Sequence, residues 1–152
     1  SLPFIYASEA ITQVTFVLYS HTKQPPLNLG NLDQYKLGTQ RGHKQFFPFS
    51  IQEINNLEMG INQVARGRID GFIMEQDATD DYIKRNKFKN LRKVLYATWD
   101  SCVIISKGED QIEIDRIIST ALRQLKKSGR LKEIIRNIHQ PYSNWQPFKM
   151  NW

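Results

Sequence analysis

The segment from Asn56 to Glu75 constrains the fold more than any other part of the chain. Asn56 is a residue type that caps helices, and the apolar positions Leu57, Ile61, Val64 and Ala65 that follow it recur on one helical face. Gly67 stands where a left-handed C-terminal cap belongs. Arg68–Met74 then reads as an apolar strand that ends on the carboxylate of Glu75. An earlier strand, Tyr35–Thr39, precedes the helix, and a strand–helix–strand succession of this kind builds parallel sheet.

The same reading yields elements on either side. Thr12–Ser20 is rich in β-branched and aromatic residues and predicts a strand. His21–Leu32, with Pro25, Pro26 and Gly30, predicts a loop, and Ile51–Ile54 a short strand. Asp77 or Thr79 opens a helix that runs to Asn86, and Val94–Tyr96 and Ser101–Ser106 are two further strands. Glu109–Ser128 is the longest helix. Its apolar stripe is Ile114, Ile117, Ile118, Ala121, Leu122 and Leu125, and acidic residues lead while basic ones trail, as the helix dipole favours. Gly129 ends it, Leu131, Ile134, Ile135 and Ile138 mark a shorter helix, and Pro141 stops that one. The tail Tyr142–Trp152 carries Trp145, Phe148 and Trp152 and is expected to clip onto the body. The alternation predicts an α/β fold with a central, mostly parallel sheet flanked by helices.

Composition narrows the function. A chain of 152 residues can bury a core and fits one domain or two small lobes. Hydrophobic residues at 40% and charged residues at 24% are ordinary for a globular protein, and no apolar run nears the about 20 residues of a membrane-spanning helix. The start lacks a basic region followed by an apolar core; beginning at Ser rather than Met, the chain reads as a processed or trimmed product. A single cysteine excludes an internal disulfide, and Cys102, in an apolar run ending at Ile105, reads as a buried core thiol. His21, His43 and His139 share no metal-ligand spacing, so no metal and no cofactor is expected.

The net charge of +6 is uneven, with eight Lys and Arg against Glu133 alone in residues 116–152. A basic stretch can meet nucleic acid or anionic lipid. Here the basic side chains fall on the polar faces of amphipathic helices and do not alternate with aromatics, so a solvated face is expected and no nucleic-acid partner. Nucleophile-elbow, phosphate-loop and dinucleotide motifs are absent.

Two strand ends carry the chemistry. Tyr35–Thr39 runs into Gln40-Arg41-Gly42-His43, a turn whose Gly42 backbone N–H is expected to lie open to an anion. The strand Arg68–Met74 ends on Glu75. An anion-seeking turn and a carboxylate, both at C-terminal strand ends, suit a small zwitterion.

Lys36–Gly42 (Lys-Leu-Gly-Thr-Gln-Arg-Gly), Gln63–Ile73 (Gln-Val-Ala-Arg-Gly-Arg-Ile-Asp-Gly-Phe-Ile), Ile105–Asp110 and Ala121–Ile134 together, in this order and spacing, resemble the type II periplasmic solute-binding proteins, in the family 3 group that binds amino acids and other small polar solutes. The resemblance implies two lobes joined by a hinge, with ligand between them. Leu2–Glu9 is similar to the point where the chain leaves the first lobe, so residues 10–98 correspond to the second lobe, and 1–9 and 99–152 to the hinge and the segment that returns to complete the first. Most of the first lobe has no counterpart.

By the same resemblance, the turn binds the ligand carboxylate through backbone N–H groups and a hydroxyl. Gly42, His43 and Lys44 hold those positions here, without the hydroxyl, so that Arg41 or Lys44 would supply charge in its place, and the amine-binding aspartate falls at Glu75, one methylene longer. Asp70 is structural, bracing the turn after Gly67 and Arg68. The resemblance implies a non-enzymatic, periplasmic binding domain for a small polar or zwitterionic solute, with an ABC permease or a sensor as membrane partner and weak binding by this chain alone. The apolar stripes of the last two helices need a cover: they fold back on the lobe, or two chains exchange segments into a homodimer. The alternatives are a ligand-sensing module of a signalling protein, or a dehydratase on the same fold, for which Glu75 or His43 would act as acid or base.

Overall fold

Two strands are much longer than their apolar runs. The computed structural model describes residues 2–138, and in it β1 spans Phe4–His21, continuing well upstream of the expected Thr12. β5 spans Leu91–Ser106, joining what read as two strands. The polar residues Glu9, Gln13 and Asp100 broke the apolar pattern, but backbone pairing does not depend on side-chain polarity. Gln13 Nε2 also donates to Asp100 Oδ1 at 3.2 Å, linking the polar stretches of the two strands.

Between them come β2 (Leu37–Gln40), β3 (Gln52–Ile54), α1 (Leu57–Ala65), β4 (Gly71–Glu75) and α2 (Gln76–Arg85); after β5 come α3 (Gln111–Lys127) and α4 (Arg130–Ile138). Short 3-10 turns occupy Leu32–Gln34 and Lys44–Phe46. The sheet order is β3-β2-β4-β1-β5. β2 runs parallel to both β3 and β4, and β1 runs antiparallel to β4, so the sheet is mixed and the fold is α/β.

The described chain divides into two units, residues 15–98 and residues 2–14 with 99–138. In the first, Val17, Tyr19, Ile54, Phe72 and Met74 of the sheet pack with Ile61 and Val64 of α1 and Ile83 of α2. α1 forms where its cap and stripe place it. The Asn56 side chain accepts the Met59 N–H at 2.9 Å, and Gly67 closes the helix at φ +65°. Asp70 braces the entry to β2: its Oδ2 accepts the Lys36 N–H at 2.7 Å, and its own N–H donates to the Lys36 carbonyl at 2.9 Å. β4 starts directly after Asp70, later than its apolar run.

In the second unit, Ala7, Ile105, Ser119, Leu122 and Leu131 are buried. Asp115 of α3 accepts the Ser8 N–H at 2.7 Å and the Ser8 hydroxyl, which holds its carboxyl below the usual aspartate range, and Ser119 Oγ donates to it at 2.9 Å. Glu9 meets Lys126 and Arg123. The basic residues of α3 and α4 are largely exposed, and Arg116 and Arg130 pair with Glu113 and Glu133 within their own helices; exposed pairs contribute little. The expected apolar stripe of α3 is only partly covered: Leu122 is buried, whereas Ile114 and Ile117 are 41% and 55% exposed. Cys102 is half-buried rather than a core thiol, because only Ile105 of its run is buried. The expected docking of Tyr142–Trp152 lies outside the described residues. Among those described, no helix is long and apolar enough to cross a membrane.

Candidate functional site

Parallel pairing brings the two strand ends together. Thr39 of β2 lies opposite Ile73 of β4, so the turn after Gln40 and the end of β4 at Glu75 sit at the same edge of adjacent strands. On the far side of β4, Phe16 of β1 stands directly opposite Glu75. The Phe16 ring meets the His43 imidazole at 5.7 Å between centroids and 67° between planes, and Phe46 lies 5.9 Å from His43 on another side. Arg41, Gly42, His43, Lys44 and Glu75 therefore gather at one end of one unit, linked through an aromatic contact that sequence reasoning missed. Phe16 was legible only as a strand residue; its place opposite Glu75 depends on register.

The turn is built by pairing to β3. Gly42 adopts φ +90°, which favours glycine. Its N–H was expected to lie open; instead it donates to Glu53 Oε1 at 2.8 Å. The Arg41 N–H donates to the Ile54 carbonyl at 2.8 Å, and the His43 N–H to the Gln40 carbonyl at 3.1 Å. The Arg41 guanidinium donates to Asn55 Oδ1 at 2.6 Å, while Lys44 is exposed. His43 is half-buried, and its Nδ1 is enclosed without a hydrogen-bond partner among the described residues. Burial lowers its pKa, so the imidazole is neutral at pH 7 and the turn's positive charge rests on Arg41 and Lys44.

Glu75 turns out to be the cap of α2, not merely the residue before it. Its two carboxylate oxygens accept the N–H groups of Asp77 at 2.6 Å and Ala78 at 2.9 Å, so the helix starts at Gln76 rather than at Asp77 or Thr79. Each oxygen keeps a lone pair for a further donor. Burial raises the Glu75 pKa; the two backbone bonds oppose this, and the charges of Asp77 and Asp80 add to it. A raised carboxyl pKa means that the folded chain holds this proton more tightly than the unfolded one. Its contribution to stability is therefore full below the ordinary glutamate range and is lost as pH rises through the raised value. The stability of wild type relative to Glu75→Gln is accordingly expected to fall as pH rises above the ordinary glutamate range, about 4, in urea unfolding; a difference that grows with pH would contradict the raised pKa.

Aromatic side chains extend from the turn along the same unit. Phe47 is buried and lies 5.7 Å from Phe49 and 5.4 Å from Tyr96, whose hydroxyl pKa is raised by burial. Two open hollows on this unit lie elsewhere, one beside Met59, Asn62 and Arg66 and the other beside Asp33, Tyr35 and Gln52. Neither is lined by the gathered residues.

No family model matches the sequence, and no curated protein does. Solved structures do match in fold. The GluR0 ligand binding core in complex with L-glutamate aligns at TM-score 0.69 and 15% identity, over 90% of this chain and 64% of that one. The arginine-, lysine-, histidine-binding protein ArtJ from the thermophilic bacterium Geobacillus stearothermophilus aligns at 0.62 and 20%, over 92% and 65%. A histidine kinase sensor domain with similarity to periplasmic binding proteins aligns at 0.67 and 17%, over 88% and 62%. The chain thus spans less than two thirds of the length of each of these neighbours. At such identities the likeness is one of architecture, and the chain has the periplasmic-binding-protein-like α/β fold.

Proposed function

We propose that this chain is a non-enzymatic binding domain for a small zwitterionic solute of the amino-acid kind, in a periplasmic transport or sensing system. Residues 10–98 form one lobe, and the remainder belongs to the hinge and to a second lobe that is incomplete in this chain. The observation that carries the reading is the meeting of the Arg41–Lys44 turn and Glu75 at the C-terminal ends of neighbouring parallel strands. Arg41 and Lys44 attract the solute carboxylate to the turn, and Glu75 accepts from its ammonium while capping α2. The lengths of the fold neighbours and the exposure of Ile114 and Ile117 support the incompleteness. The sensor-domain neighbour favours sensing as the second reading, with a kinase partner in place of a permease; the parent reading frame upstream of Ser1 separates the two.

With one wall of the site, binding by the isolated chain is weak. Titration with glycine is expected to shift the Asp77 and Ala78 amide resonances saturably in the millimolar range, and Glu75→Gln to abolish the shift. Glycine that leaves these amides unmoved would sink the site. Micromolar amino-acid binding by a monomer in calorimetry would instead show that the chain is complete as a binder.

A further inference from the structure

The N–H that the turn would offer a solute carboxylate is already held by a carboxylate of the chain itself. Glu53 lies on β3 at the sheet's edge, in register with Thr39, and its exposed side chain reaches past the end of β2 to Gly42. The bond to the Gly42 N–H, 2.8 Å long, is the one polar contact of the Glu53 side chain among the described residues. The adjoining N–H groups of Arg41 and His43 are satisfied by backbone carbonyls, so Gly42 carries the anion contact of the turn. The guanidinium of the preceding residue, Arg41, is held by Asn55. A carboxylate oxygen on a glycine N–H is the arrangement that an amino-acid carboxylate would make.

We propose that Glu53 determines specificity at this site as an intramolecular stand-in for the solute's carboxylate, which must leave Gly42 before a solute is received there. The inference rests on the site assigned above. Because Glu53 is exposed, swinging it into solvent uncovers no buried charge, and the competition amounts to one charge-assisted hydrogen bond. A ligand with only a carboxylate competes poorly. A zwitterion that also reaches Glu75 gains a second contact with which to displace Glu53. The residue thereby discriminates against simple anions without touching the bound solute.

The test is an amide-resolved titration of wild type, Glu53→Ala and Glu53→Gln with acetate and, separately, with glycine. Half-saturation of the Gly42 amide shift by acetate is expected about tenfold lower in Glu53→Ala than in wild type. Glu53→Gln, which keeps an acceptor but loses the charge, should fall between them. Equal half-saturation in wild type and Glu53→Ala, or a Gly42 amide that stays silent in Glu53→Ala, overturns the proposal. Should Glu53→Ala fail to fold, as read from the Val17 and Phe72 amides, Glu53→Gln decides: half-saturation unchanged from wild type overturns it equally. If glycine moves the Asp77 and Ala78 amides while Gly42 stays silent, the competition fails and the solute-binding reading stands. If no amide responds in any variant, both fall.

Discussion

Replacing Lys93 with methionine is expected to destabilise the 15–98 unit by about 3–5 kcal/mol. Lys93 on β5 and Asp80 on α2 are joined at 2.5 Å with no solvent exposure of either side chain, and Tyr19 donates its hydroxyl to the other Asp80 oxygen at 2.8 Å. Burial lowers the Lys93 pKa and Asp80 pulls it back only in part, so the ammonium is tolerated there because of its partner. Removing Lys93 leaves a carboxylate charge enclosed in the unit, and the cost is that of the stranded charge rather than of the pair. The double variant Lys93→Met with Asp80→Asn should therefore recover most of the loss. Hydrogen exchange at the Val17 and Ile73 amides, both in fully buried residues, measures this unit by itself. A single-variant cost under about 1 kcal/mol would show that Asp80 reaches water. Asp80, but not Lys93, lies on the helix that Glu75 caps.

Phe72→Ala is expected to cost about 3–5 kcal/mol in the same unit, through lost burial and the cavity left behind. Phe72 is fully buried on β4, and its ring lies over α1 at Gly60, where an added Cβ would come within 2.3 to 2.6 Å of three ring carbons. The ring thus occupies space that the helix leaves vacant by having no side chain there. Gly60→Ala should cost about 1–3 kcal/mol in wild type, because the ring has no room to retreat. In the Phe72→Ala background the same change should cost nothing or stabilise slightly, since the clash is gone and alanine favours helix by about 1 kcal/mol over glycine. Chemical denaturation of the four chains measures the coupling. Additive costs would mean that ring and helix do not compete for that space.

Elements governed by neighbours in sequence were legible. The cap at Asn56, the stripe of α1 and the close at Gly67 are local, and the helix lies where they set it. The strands expected at 35–39 and 68–74 form at 37–40 and 71–75, and the α/β class followed from runs and turns of the same kind, although the sheet expected to be mostly parallel is mixed. Errors arose where side-chain bonds or distant partners intervene. Asp70 bonds to Lys36, and β4 starts only after it. Glu75, rather than Asp77 or Thr79, starts α2, because its longer side chain folds back over two N–H groups. In β1 and β5 the pairing of polar stretches carries strands on where composition suggested a stop.

The candidate site divides in the same way. The sequence by itself determined that Arg41–Lys44 follows one strand and Glu75 ends another, since each is a matter of chain order and local periodicity. Only the tertiary structure decided that these ends are neighbours, that Phe16 pairs with Glu75 and meets the His43 ring, and that Glu53 occupies the Gly42 N–H. The reason is register. Strand pairing has a period of two residues, and a slip of one turns every side chain to the other face. No local pattern in Gln52–Ile54 or Phe4–His21 specifies which of their side chains will face the turn; the pairing with β2 and β4 does.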